Sequence, residues 1–157
     1  MEEELQTASF NCRTAQEDVI RNIRELLSPL PSASESSREI RKIWGDRFAS
    51  AGWIANYLLP NSRQSISLWK DSVGLCIQLG NTCRASTDLL KLETLFRLGK
   101  IRHGCLVVPS NPYSKYLGTN HASFATATRD LSTFAAAISV PLTVFSFAPS
   151  LRGEKLG

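Results

Sequence analysis

The chain has 157 residues, 43% hydrophobic and 20% charged, a length that suits one domain and a composition that excludes disordered, collagen-like and coiled-coil chains. Its longest uncharged stretch, Leu131 to Leu151, is broken by Pro141, Pro149 and several Ser and Thr residues, which argues against a membrane-spanning helix. Eighteen Lys and Arg against 14 Asp and Glu give a net charge of +4, compatible with a polyanionic partner without requiring one. The opening Met1-Glu2-Glu3-Glu4 opposes the basic start of a secretory signal. Cys12, Cys76, Cys83 and Cys105 form no CxxC pair, so reduced thiols in a cytoplasmic setting are expected and a structural zinc site is not.

Thr14-Ala-Gln-Glu17 is a capping box, and Val19, Ile20, Ile23, Leu26 and Leu27 follow at helical spacing. A Pro/Ser loop over 28–34 separates this helix from a second, opened by Ser36-Ser-Arg-Glu39 and carrying Ile40, Ile43, Trp44 and Phe48. Trp53 to Leu59 then reads as a strand. Two runs, Ser65 to Lys70 and Val73 to Leu79, flank Asp71-Ser72 as a hairpin. A two-residue turn there sets Lys70 against Val73, Trp69 against Gly74, Leu68 against Leu75 and Ser67 against Cys76. From Ser86, Leu89, Leu92, Leu95 and Phe96 mark a helix ended by Gly99. Cys105 to Val108 reads as a doubly buried strand. Residues 110–120 read as a loop, Phe124 to Ile138 as a helix and Pro141 to Phe147 as a last strand.

The expected fold is therefore one mixed α/β domain spanning 1–157: a helical part at 14–50, a core at 53–148 and a frayed tail at 149–157.

At the hairpin and beyond, the sequence resembles the BglII and BstYI type of type II restriction endonucleases, which carry the PD-(D/E)xK nuclease fold. The likeness is carried by Ile66-Ser-Leu-Trp-Lys70, by Val73-Gly-Leu-Cys-Ile-Gln-Leu-Gly-Asn81, and by Asp88-Leu-Leu-Lys91 leading to Gly99-Lys-Ile101. It implies a mixed central sheet flanked by helices, with an αβββαβ core, an extra N-terminal helix and a C-terminal αβ unit. It also implies double-stranded DNA as substrate, a homodimer and a Mg²⁺ cofactor. In that family an Asp on the first hairpin strand and a Glu on the second, with a Gln two residues later, surround the metal. Those positions hold Ser67, Cys76 and Gln78 here. The resemblance thus assigns Ser67, Cys76 and Gln78 to the catalytic centre and Ser67 and Cys76 to the metal positions, with both acids replaced.

The register agrees, since facing residues of a hairpin have Cβ atoms roughly 5 Å apart, and alternation returns Gln78 to the face of Cys76. Magnesium, however, wants oxygen ligands, usually including one or two carboxylates, whereas an alcohol contributes little and a thiol is a soft donor. Weak or absent metal binding is expected. Asp71 belongs to the turn, about 13 Å along the strand from Ser67. Asp88 and Glu93 on the following helix are the acids that could replace the lost pair. His103 precedes the next strand and could approach Cys76. The segment 111–120, with Asn111, Tyr113, Lys115 and Asn120, carries groups suited to base edges and phosphates, where the family's DNA-facing loops occur. Three functions follow: a DNA-binding homologue with a degenerate phosphodiesterase site, an active endonuclease using Glu93 or Asp88, or an interaction subunit that does not bind DNA.

Overall fold

The computed structural model describes residues 4–12 and 16–149. Its organisation follows from the apolar runs in the second half of the chain. β4 (Val73–Ile77), β5 (His103–Pro109) and β6 (Leu142–Ala148) are buried along their whole lengths and pair in parallel, β4 with β5 and β5 with β6. Alternation divides β5 between two layers: Cys105 and Val107 join one core, and Leu106 and Val108 the other. Parallel neighbours need crossovers. Here they are α3 (Thr82–Arg97) between β4 and β5, then α4 (Asn111–Leu117) and α5 (Phe124–Thr133) between β5 and β6.

The other core forms under the two N-terminal helices, α1 (Glu17–Leu27) and α2 (Ser37–Ser50). Ile23, Leu27, Trp44 and Phe48 pack there against Leu75, Phe145 and Phe147. The expected capping box of α2 is formed, with Ser36 accepting from the Glu39 amide and the Glu39 carboxylate accepting from the Ser36 amide. Thr14, expected to cap α1, lies outside the described residues, as does the tail from 150 on.

Antiparallel strands complete the sheet at both margins. β2 (Ile54–Leu58) pairs with β3 (Ser65–Lys70), which forms the hairpin with β4, and β1 (Glu4–Phe10) lies along β6. The six strands run β1-β6-β5-β4-β3-β2. Asp71 and Ser72 both have positive φ, 47° and 64°, as a type I′ hairpin turn requires. This is the mixed α/β single domain that the sequence led us to expect.

Three elements depart from the sequence reading. β1 was not expected: its Leu5, Ala8 and Phe10 alternate imperfectly with polar residues, and its partner β6 is remote in sequence. Residues 111–117 form α4 rather than loop, because Ser110 caps the turn through the Tyr113 amide and Pro112 occupies the first turn, where it loses no hydrogen bond. Finally α5 stops at Thr133, and Ile138 reaches the core from the turns that follow.

Gly74 is packed tightly beneath α3. A Cβ there would lie 2.9 Å from Ile66 Cδ1, 3.2 Å from Leu92 Cδ2 and 3.3 Å from Ile101 Cγ2. Gly74→Ala is therefore expected to destabilise the domain by about 1–3 kcal/mol through overpacking, read as a lower urea midpoint with an unchanged m-value.

Candidate functional site

The hairpin register is the expected one for Lys70↔Val73, Trp69↔Gly74 and Leu68↔Leu75, and there the ladder ends. The next pair, Ser67 with Cys76, does not form. Instead Ser67 Oγ accepts the Ile77 amide at 2.9 Å, replacing a backbone carbonyl with a side chain. The opposite ladder breaks at the same level. Asn56 stands between the pairs Ala55↔Leu68 and Tyr57↔Ile66 but is itself unpaired, with φ of 51°. The break shifts the phase of β3: Leu68 faces the α1/α2 core while Ile66, two residues away, faces the α3/α5 core. The expectation failed because it extended an uninterrupted strand through this point.

Where β3 parts from β4, a cleft of about 400 Å³ opens towards α3 and is lined by Ser67, Gln78 and Asp88 among others. Ser67 and Gln78 thus meet as expected. Cys76 does not line the cleft, although its thiol lies against the Ser67 backbone and feels the charges of Asp88 and Lys91 from behind the floor. Its side chain is 1% exposed among Ile66, Ala85 and Leu89, and burial, reinforced by the charge of Asp88, holds the thiol well above its ordinary pKa. A neutral buried thiol is neither a nucleophile nor a magnesium ligand. His103 does not approach it either. It belongs to the opposite face of the sheet, where its Nε2 is 2.8 Å from Thr143 Oγ1 and burial lowers its pKa.

Gln78 organises the floor. Its Nε2 donates to Asp88 Oδ2 at 2.7 Å, and its Oε1 accepts the Gly80 amide at 2.9 Å. The other carboxylate oxygen, Asp88 Oδ1, lies 3.7 Å from Lys91 Nζ, which also donates to Ser65 O at 3.1 Å. Burial raises the pKa of Asp88 even though Gln78, Lys91 and the more distant Arg41 favour the charged form. Two further cations, Arg41 from α2 and Arg84 from α3, line the same cleft. Neither was singled out in the sequence. Arg84 had a signal, since 84, 88 and 91 follow one face of a helix. Arg41 had none, because only the fold brings α2 to the hairpin.

Glu93, the other candidate acid, is not in the cleft. Its carboxylate accepts the amides of Ser139 and Val140 at 3.0 Å and the Arg97 Nε at 3.2 Å, tying α3 to the segment before β6. Burial alone would raise its pKa, but the bonds from Ser139, Val140 and Arg97 prevail and lower it. It is a structural carboxylate. Among the proposed DNA contacts, Tyr113 is 1% exposed, its ring 5.6 Å from that of Phe147, so it is a core residue. Asn111 Oδ1 accepts the Ala125 amide at the start of α5. Lys115 and Asn120 are exposed. Asn120 O accepts the Thr82 amide and the Ala122 amide donates to Gly80 O, so the 120–122 segment adjoins the start of α3 beside the cleft.

The family model of restriction endonuclease BglII/BglIII matches residues 3–147. The chain belongs to this family. A crystal structure of BglII complexed with a DNA 16-mer matches with a TM-score of 0.75 at 12% identity, covering 91% of this chain and 75% of that one. Free BglII matches with a TM-score of 0.71 at 13% identity, covering 94% and 80%. At such identities these likenesses establish the fold. No curated protein matches the chain.

The family's use of Mg²⁺ sets a test for the residues present. The cleft supplies one carboxylate with both oxygens engaged, an alcohol and an amide, together with three cationic side chains. Among the described residues no group of three His, Cys, Asp or Glu side chains is placed to hold a metal. The donor set does not fit a magnesium ion.

The two acids of α3 predict opposite pH behaviour. A raised pKa means that the stability linked to Asp88 is present below its unfolded value of about 3.8 and is lost as pH rises through the folded value. Asp88→Asn should therefore melt higher than wild type at pH 7, the difference shrinking towards pH 3. A lowered pKa gives Glu93 the reverse sign: its contribution is present above about 4.5 and lost as pH falls through the folded value. Glu93→Gln should cost about 2–3 kcal/mol at pH 7 and progressively less in acid, measured by urea unfolding across pH.

Proposed function

We propose that the protein is a DNA-binding member of its family whose phosphodiester-cleaving centre has lost the ability to use magnesium. One observation carries this reading: Asp88, the sole carboxylate lining the cleft among the described residues, is held by the Gln78 amide and the Lys91 ammonium, with Arg41 and Arg84 lining the same space. Metal-assisted hydrolysis needs a cation to polarise the phosphate and lower the pKa of the attacking water. A cleft already rich in positive charge opposes the entry of such an ion. Duplex DNA as partner is supported by the family and by the exposed Lys115 and Asn120 next to α3. A homodimer is supported by an apolar groove between α3 and the segment after α5, where Leu90 and Phe134 are 59% and 47% exposed. Sedimentation equilibrium tests that part.

A second reading, an active endonuclease relying on a relocated acid, draws support from the position of Asp88 and none from that of Glu93. Under it, purified protein nicks plasmid DNA with Mg²⁺ or Mn²⁺ and Asp88→Ala abolishes the nicking. The first reading expects a shifted duplex band at low salt and intact plasmid with either metal. Failure to shift any duplex at low salt would instead favour an interaction subunit that does not bind DNA. The double substitution Ser67→Asp with Cys76→Glu restores the family's acids. An Asp at 67 opens on the cleft, and a Glu at 76, buried beside Asp88, adds a second unpaired carboxylate there, so millimolar Mg²⁺ should raise the melting temperature of the double variant and leave wild type unchanged. A double variant indifferent to Mg²⁺ would count against the assignment of these two positions.

A further inference from the structure

We propose that the cleft at the broken hairpin is a metal-free seat for a phosphodiester, in which fixed cations from α2 and α3 take the place that a divalent ion occupies elsewhere in the family. The inference rests on the DNA-binding reading above and names the contact that reading lacks.

Charge and hydrogen-bonding capacity carry it. Lys91 offsets Asp88, while Arg41 and Arg84 are exposed and make no hydrogen bond or ion pair among the described residues. With Lys91 they give the cleft three cations against the one carboxylate of Asp88, an excess that an anion in the cleft would neutralise. The guanidinium fork matches two oxygens of a phosphate, each bond being charge-assisted. Two further polar groups of the lining have donors to offer. Ser67 Oγ already accepts the Ile77 amide, so its own proton is available, and Asn56 brings a side-chain amide to the same wall. The one competing negative charge of the lining, Asp88, is buried and held by Gln78 and Lys91. An acceptor-rich, donor-free anion satisfies this lining, and a magnesium ion does not.

The test measures binding of a short DNA duplex by wild type and by Arg41→Ala and Arg84→Ala, each in EDTA and in Mg²⁺, across a salt series. Both arginines are exposed and make no hydrogen bond among the described residues, so both variants should fold, and melting temperatures recorded alongside separate a loss of binding from a loss of structure. The seat predicts affinity in EDTA at least as high as in Mg²⁺, a loss of about tenfold for each variant, and a slope of log K against log salt reduced by about 1. Arg21→Ala, on α1 and paired with Asp18, should change neither. Duplex binding that persists undiminished in both cleft variants, or that requires Mg²⁺, overturns the seat while leaving the DNA-binding reading intact. A parallel arm uses inorganic phosphate in EDTA, read as a shift in melting temperature. If no duplex binds but phosphate stabilises wild type and not Arg84→Ala, the seat stands as a site for free phosphate and the DNA reading falls. If neither probe binds, both fall.

Discussion

The hydrogen bond from the Ile77 amide to Ser67 Oγ is the constraint on which the site depends. It satisfies a buried backbone donor that the splayed ladder would leave orphaned, a loss of the order of 1–3 kcal/mol. With that donor satisfied, β3 can leave β4 at mid-strand, and the space between them becomes a cleft rather than a continued sheet. An acid at this position would bring negative charge to the same mouth; a hydroxyl brings a neutral acceptor that also has a proton to give. One side chain therefore preserves the opening and alters what the opening attracts.

The acids of α3 show how environment, rather than residue type, assigns a role. Glu93 is bonded by amides and an arginine that favour its charged form, and it fastens the helix to the segment leading into β6. Asp88, five residues earlier, is charged at a cost imposed by burial and is restrained by Gln78 and Lys91. The first contributes to the stability of the fold. The second is a burden that the fold carries at its cleft.

What could be read in the sequence was what short-range geometry controls. The Asp71-Ser72 turn fixed the register for three pairs because loop length and positive φ leave little freedom. Cys105 to Val108 announced a doubly buried strand because no polar residue interrupts it. Illegible features depended on remote partners. β1 is polar enough to pass for a tail, and only its ladder with β6 makes it a strand. Arg41 entered the cleft through the docking of α2, which no local spacing encodes. The failed Ser67–Cys76 pair has another origin, a break in the strand that Asn56 marks with its left-handed backbone but that periodicity cannot register.

That backbone irregularity also bears on solubility. β2 forms one margin of the sheet, with Ile54 and Leu58 largely in water, a combination that invites another chain to extend the ladder. Asn56 stands midway between them with a reversed φ, so the free side of β2 cannot present a flat, continuous row of donors and acceptors. The distortion beside the cleft thus also makes this margin a poorer template for another strand.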